Sequence, residues 1–116
     1  MSDSLIQLRD ALRFFAAERD WDQFHSPRNL AAALAVEAAE LLEPFQWLTD
    51  AQSRDLTPET RAAVEQEMAD VLLYLVRLAD KLGVDLEQAA VDKITRNVEK
   101  YPAEKARGSR RNYTEL

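Results

Sequence analysis

From Leu30 to Leu42 the chain reads LAAALAVEAAELL, and from Pro58 to Leu82 it reads PETRAAVEQEMADVLLYLVRLADKL. Eleven of the thirteen residues in the first stretch are apolar, and its only two polar residues are Glu37 and Glu40. In the second stretch Val64, Met68, Val71, Leu75, Leu78 and Leu82 alternate four and three residues apart, the spacing of a helix packed along one seam. Leu72, Leu73 and Val76 point away from that seam, so the middle of this helix is apolar nearly all round and should be buried on more than one side. With only three other helices in the chain, a subunit interface is the natural second cover.

Those three helices are read outward from these two stretches. Thr57 and Pro58 form an N-cap and first position for the long helix, and Gly83 ends it. Asp85 with Gln88 begins a fourth helix, whose expected buried face is Leu86, Ala90, Val91, Ile94 and Val98, until about Lys100; Pro102 stops it. Upstream, Ser26 and Pro27 open the helix that carries Glu37 and Glu40, which runs to about Glu43 before Pro44 interrupts it. Leu5, Leu8, Leu12 and Phe15 mark an amphipathic first helix from about Ser4 to Arg19, with Phe14 widening its apolar face. Phe45-Gln-Trp47 begins a connection that reaches Thr57. Two glycines and four prolines leave little material for turns. The expected fold is therefore all-α, a four-helix bundle over residues 1–102 assembled as a homo-oligomer. Residues 103–116, AEKARGSRRNYTEL, lack an apolar period and read as an extended or mobile basic tail.

Composition narrows the functional classes. A length of 116 residues with 47% hydrophobic content fits one domain, small enough that self-association would help bury apolar surface. The formal charge is −6, and residues 1–100 alone carry −8. Such an acidic body argues against binding a nucleic-acid polymer. A nucleotide remains compatible, because a bound divalent cation reverses the local sign of a carboxylate cluster. The absence of cysteine removes disulfides, thiol chemistry and thiolate metal sites and fits a cytoplasmic setting. Charges at Asp3, Arg9, Asp10, Arg13, Glu18, Arg19 and Asp20 oppose a signal peptide or membrane span in the first twenty residues.

Two acidic words carry the chemistry: Glu37-Ala-Ala-Glu40 and Glu67-Met-Ala-Asp70. Residues three apart share one face of a helix, so each word presents two carboxylates in one direction, and four converge if the helices pack face to face. Carboxylates gathered in an apolar setting repel one another and lose their water unless a cation or protons neutralise them. Hard oxygen ligands favour Mg²⁺, with Mn²⁺ as a substitute. The plain alternative is a non-catalytic helical interaction module with a solvated acidic face. That module would show no Mg²⁺-dependent stabilisation.

Around these words Glu67, Asp70, Tyr74 and Arg77 form a polar stripe opposite the leucine seam, and Lys93, Asn97 and Lys100 form another on the fourth helix. A triphosphate suits this company, since divalent cations and basic side chains neutralise its charge during in-line attack. Taken singly, Lys93 and Lys100 read as solvated helix positions. Trp21, Phe24, His25 and Trp47 flank the helix of the first acidic word, either as a slot for a stacked base or as packing at helix junctions. Core packing suits Phe24; base contact suits Trp47, close behind the acidic word. A di-iron bundle needs Glu-x-x-His on two helices, whereas the only histidine, His25, lies outside the expected helices.

Together the two acidic words resemble the metal-binding motif of the MazG-like all-α nucleoside triphosphate pyrophosphohydrolases, a superfamily that includes dimeric dUTPases. AAERDWDQFHSPRNL at 16–30, the segment from Glu37 to Trp47, DVLLYLVRLA at 70–79, Lys93 through Tyr101-Pro102 and the ending Tyr113-Thr-Glu-Leu116 are similar to its dCTP pyrophosphatase branch. The resemblance implies hydrolysis of dCTP or a modified dCTP to monophosphate and pyrophosphate, with dUTP or a broad nucleotide range as the alternative. It implies Mg²⁺ held by Glu37, Glu40, Glu67 and Asp70, base contacts from Trp21, Trp47 and Tyr74, with His25 among the substrate-binding residues, and a nucleotide-holding role for Asn97. It sets Lys93, Arg110 and Tyr113 near phosphates or a neighbouring subunit, and it implies a dimer-of-dimers homotetramer with sites near subunit junctions. One departure is visible: where family members carry a pocket histidine on the first helix, this chain has Leu12.

Overall fold

A computed structural model describes residues 2–116, and these contain α-helix and 3₁₀ turns with no strand. The helices are α1 (Asp3–Glu18), α2 (Pro27–Leu42), α3 (Asp50–Ser53), α4 (Pro58–Leu82), α5 (Leu86–Lys100) and α6 (Ala103–Ala106). Short 3₁₀ turns occupy Asp22–Phe24, Glu43–Phe45 and Tyr113–Glu115. The all-α expectation and its four long helices hold. Residues 2–84 form one compact unit, and residues from Asp85 onward belong to a second.

Local chemistry sets the helix ends in the first unit. Ser26 Oγ accepts from the Asn29 N–H at 3.1 Å, and Pro27 takes the position where a missing N–H costs nothing. Thr57 Oγ1 accepts from the Thr60 N–H at 3.2 Å, again ahead of a proline. Gly83 ends α4 in the left-handed region at φ 65°, where a side chain would be strained. Asp20 takes the same region at φ 54° after α1, and the Gln23 amide donates to its backbone and side-chain oxygens at 3.0 Å. Asp tolerates this conformation better than a branched residue, and the tight turn delivers Trp21 and the 3₁₀ segment back toward α4.

Within this unit α4 packs chiefly on α2 and also on α1. The buried apolar residues are Ala16, Leu30, Val64, Val76 and Ala79. The face of α4 turned inward therefore differs from the expected seam: Met68 and Leu82 are more than half exposed, whereas Val76 and the charged Arg77 are buried. A helix apolar nearly all round does not fix its own rotation; charge pairing does so here. Arg77 fans its guanidinium to Asp22 at 2.6 Å and to Asp80 at 3.4 Å, and Asp80 also accepts from Arg13 Nε of α1 at 2.8 Å. Lys81 joins Asp22. Within the polar stripe of α4, Arg77 is thus buried because it brings its own counterions with it. In the connection after α2, Thr49 and Gln52 close a reciprocal capping box that makes α3 a single helical turn.

In the unit beginning at Asp85, that residue caps α5 by accepting from the Gln88 N–H at 3.0 Å. The expected buried face of α5 is not buried on this chain: Val91, Ile94 and Val98 are exposed, and no residue of α5 is buried. The tail also departs from an extended segment. It folds into α6 and a closing 3₁₀ turn, with Tyr113 packed edge to face on Tyr101 at 6.0 Å and Lys100 Nζ 5.0 Å from the Tyr113 ring centre.

Candidate active site

The α2–α4 contact brings the two acidic words together. Glu37 of α2 and Glu67 and Asp70 of α4 each offer a carboxylate oxygen, all within 4.8 Å of one another. Oε2 of Glu37 and Oε2 of Glu67 are inaccessible to solvent and have no hydrogen-bond partner. Desolvation pushes the Glu37 carboxyl up to about 7, helped by the neighbouring carboxylates of Glu67, Glu40 and Asp70. Glu40, one turn along α2, thus borders the group and loads it electrostatically. Buried, unpartnered carboxylate oxygens are costly by themselves. A divalent cation accepting hard oxygen ligands fits this donor set, and Glu37, Glu67 and Asp70, with Glu40 beside them, are the residues that would hold it.

Next to this group lies a cavity of about 500 Å³. Leu8, Ala11, Leu12 and Phe15 of α1 form its apolar wall; Trp21, His25 and Leu30 close one side; Asp70, Leu73, Tyr74 and Arg77 of α4 complete it. Trp21 meets Phe15 edge to face at 5.7 Å, and the Arg19 guanidinium lies over the Phe15 ring, 3.7 Å from its centre. The volume and lining suit an aromatic heterocycle with a few polar contacts at its edge. Asp70 belongs to both the carboxylate group and the cavity wall, so the two are one continuous site.

Of the residues singled out from the sequence, Trp21, His25, Tyr74 and Asp70 line this cavity, and Glu37 and Glu67 stand with Asp70. Trp47 does not line it and is 87% exposed on this chain, and Phe24, expected in the core, is 60% exposed. Lys93 and Asn97 are exposed on α5, Arg110 is exposed beyond α6, and Tyr113 packs on Tyr101; all four lie in the unit that begins at Asp85. Arg77 lines the cavity with the Asp70 and Tyr74 of its polar stripe, but its hydrogen bond to His25, 52 residues earlier, left no signal in the spacing. Leu8 and Phe15 were legible only as the apolar face of the first helix, and Ala11 was not singled out.

His25 accepts at Nδ1 from Arg77 Nε at 3.2 Å. Burial, followed by the nearby Arg77 and Lys81 charges, holds this imidazole below the usual histidine range, with Asp22 opposing the shift.

Comparison with known proteins agrees with this geometry. The MazG-like family matches residues 32–116. The dCTP pyrophosphatase 1 of Homo sapiens is 53% identical over 104 residues, which cover 88% of this chain and 61% of that protein. That of Mus musculus is 50% identical over the same shares. The chain therefore spans about three-fifths of the length of these curated relatives. A pyrophosphatase from Archaeoglobus fulgidus DSM 4304 has a solved structure that superposes with a TM-score of 0.81 at 37% identity, covering 88% of this chain and 95% of that one. With its paired acidic words on α2 and α4 and a family match over most of its length, the chain belongs to the MazG-like family.

Proposed function

We propose that the chain is a Mg²⁺-dependent nucleoside triphosphate pyrophosphohydrolase that cleaves dCTP or a modified dCTP to the monophosphate and pyrophosphate, a reaction of nucleotide-pool sanitation. The observation that carries this reading is Asp70, shared between the carboxylate group and the wall of the heterocycle-sized cavity. Relatives named dCTP pyrophosphatase 1 support the choice of base.

In this reading the base enters the cavity between Trp21 and Tyr74, and the triphosphate leaves it past Asp70 toward Glu37, Glu40 and Glu67. Mg²⁺, or Mn²⁺ in its place, supplies charge neutralisation on the phosphate oxygens and lowers the pKa of water when bound by these carboxylates. Attack of water on the α-phosphorus forms a new P–O bond and breaks the bond to the bridging oxygen between the α and β phosphorus atoms. One of Glu37 and Glu40 accepts the proton from the water. Glu40 is the better placed, because it borders the group of three oxygens instead of belonging to it. Asn97 holds the nucleotide, Lys93, Arg110 and Tyr113 serve the phosphates or a neighbouring subunit, and Trp47 contacts the base.

The working domain is assigned to residues 1–102 and the basic tail to 103–116. The exposed Val91, Ile94 and Val98 of α5 support burial against other copies of the chain, as a dimer-of-dimers homotetramer. None of the helices among the described residues is long and apolar enough to cross a membrane, and a cytoplasmic location suits a nucleotide-pool enzyme. Incubation with Mg²⁺ and a panel of canonical and 5-substituted nucleoside triphosphates, with products separated by chromatography, tests the proposal. Monophosphate and pyrophosphate from dCTP or its derivatives are the expected products. Diphosphate with orthophosphate, or no turnover of any nucleotide, would overturn it, and preference for dUTP would move the base assignment alone.

A further inference from the structure

The cavity is lined by the only histidine of the chain and by the buried Arg77, which donates to that ring. Arg77 spends all three of its nitrogens: Nε on His25 Nδ1 at 3.2 Å, Nη2 on Asp22 at 2.6 Å and Nη1 on Asp80 at 3.4 Å. A guanidinium has donors only and does not deprotonate in a protein. The His25 Nδ1 it faces must therefore offer a lone pair, which leaves the ring's single proton on Nε2. An imidazolium would set an N–H against an N–H. The two carboxylates keep the guanidinium's plane fixed, and each is itself tied elsewhere, Asp80 to Arg13 and Asp22 to Lys81.

We infer that Arg77 is a positioning residue that locks His25 as a neutral imidazole protonated on Nε2, so that the cavity meets its ligand with a hydrogen-bond donor and not with a cation. The ligand end that suits such a wall is a neutral heterocycle with an acceptor at its edge, a carbonyl oxygen or an unprotonated ring nitrogen. A phosphate would be better served by a charged ring. The inference rests on the reading of this cavity as the base end of the nucleotide site.

The single histidine makes the lock directly observable. Long-range ¹H–¹⁵N correlation spectra of the uniformly labelled full chain, without nucleotide at pH 7.5, report which ring nitrogen carries the proton. The Nε2–H tautomer is expected in the native chain, and a mixture of tautomers in Arg77→Met. Arg77→Met leaves Asp80 with Arg13 and Asp22 with Lys81, so neither carboxylate loses all its partners. Arg77→Lys, still a donor without an acceptor, should restore part of the Nε2–H population and guards against misfolding of the methionine variant, which far-UV circular dichroism would detect. An Nδ1–H tautomer or an imidazolium in the native chain, or an unchanged tautomer in a folded Arg77→Met, overturns the inference. With dCTP, Arg77→Met should raise KM about tenfold, the scale of one hydrogen bond, while kcat stays within about threefold. A fall in kcat at unchanged KM contradicts a positioning role toward the base. Absence of turnover by the native chain would count against the hydrolase reading, whereas the spectra decide the tautomer independently.

Discussion

Glu37 on α2 and Glu67 on α4 approach each other with one oxygen apiece shut off from solvent and left without a hydrogen-bond donor. Elsewhere in the same unit buried charge is fully answered: Arg77 meets Asp22, Asp80 and His25. The contrast separates a structural ion-pair network, satisfied from within the chain, from a carboxylate group that finds no counterion in its own unit.

Divalent cation binding should stabilise the protein more as pH rises. Glu37 is raised from its ordinary range to about 7, first by desolvation. A raised carboxyl contributes most to stability when protonated in both states, below about pH 4.5, and that contribution is lost as pH climbs through about 7. A cation replaces the lost proton. At a hundredfold excess over Kd, binding is worth about 2.7 kcal/mol. The rise in Tm on adding Mg²⁺ or Mn²⁺ should therefore be larger at pH 8 than at pH 5.5, measured by differential scanning fluorimetry. Equal increments at both, or a larger one at pH 5.5, would contradict the assignment of Glu37.

Charge removal inside the acidic group should trade activity for stability. Glu67→Gln relieves repulsion around a buried oxygen, so the metal-free variant should gain about 1 kcal/mol, within the usual range of such relief. The same variant should lose at least about a hundredfold in kcat. Glu40→Ala and Asp70→Ala should abolish turnover with helicity intact by circular dichroism. Normal activity in any purified, folded member of this set would remove that residue from the site.

The two tryptophans should separate cleanly. Trp21 lines the cavity and packs on Phe15, so Trp21→Ala should raise KM by about tenfold or more. Trp47 is 87% exposed, and Trp47→Ala should change unfolding free energy by no more than about 0.5 kcal/mol. Its effect should instead fall on affinity and on discrimination among bases. In Trp47→Phe, added nucleotide should still quench the remaining indole of Trp21; an unresponsive signal would argue that the base does not reach the cavity.

The parts of this fold governed by short-range chemistry could be read from the chain: Ser26-Pro27, Thr57-Pro58 and Gly83 mark helix ends because the chemistry of a cap is local. Glu37 with Glu67 was legible for a similar reason, since spacing of three fixes a shared face and two acidic words on apolar helices leave few other uses. The rotation of α4 was not. With apolar residues on nearly every side, its pattern is equally satisfied by burying Met68 or Val76, and the choice of Val76 follows from Arg77 finding Asp22, 55 residues earlier. The one-turn α3 is too short to carry a period, and the exposed Val98 of α5 shows how a helix pattern names an apolar face without naming what covers it.

Asp80 should be the costliest charge to remove outside the acidic group. Its side chain is 10% exposed and accepts from Arg13 of α1 as well as Arg77 of its own helix, whereas Asp22 is 62% exposed. Asp80→Ala leaves Arg77 with Asp22 as its one counterion and His25 as a neutral acceptor, and should cost about 2–3 kcal/mol, less than the full 3–5 kcal/mol of an orphaned buried charge. Asp22→Ala should cost less than Asp80→Ala, because Asp22 is largely exposed and Arg77 keeps Asp80 as a counterion. The Arg13 hydrogen bond holds the Asp80 carboxyl below its ordinary range, so its contribution is present above about pH 4 and disappears as pH falls through the lowered value. Urea titrations at pH 7 and pH 2.5 should accordingly show a large gap between the native chain and Asp80→Asn at the higher pH and a small one at the lower. A gap that persists undiminished in acid would mean that Asp80 acts through its shape and packing, and that the Arg13–Asp80–Arg77 charges do not hold α1 against α4.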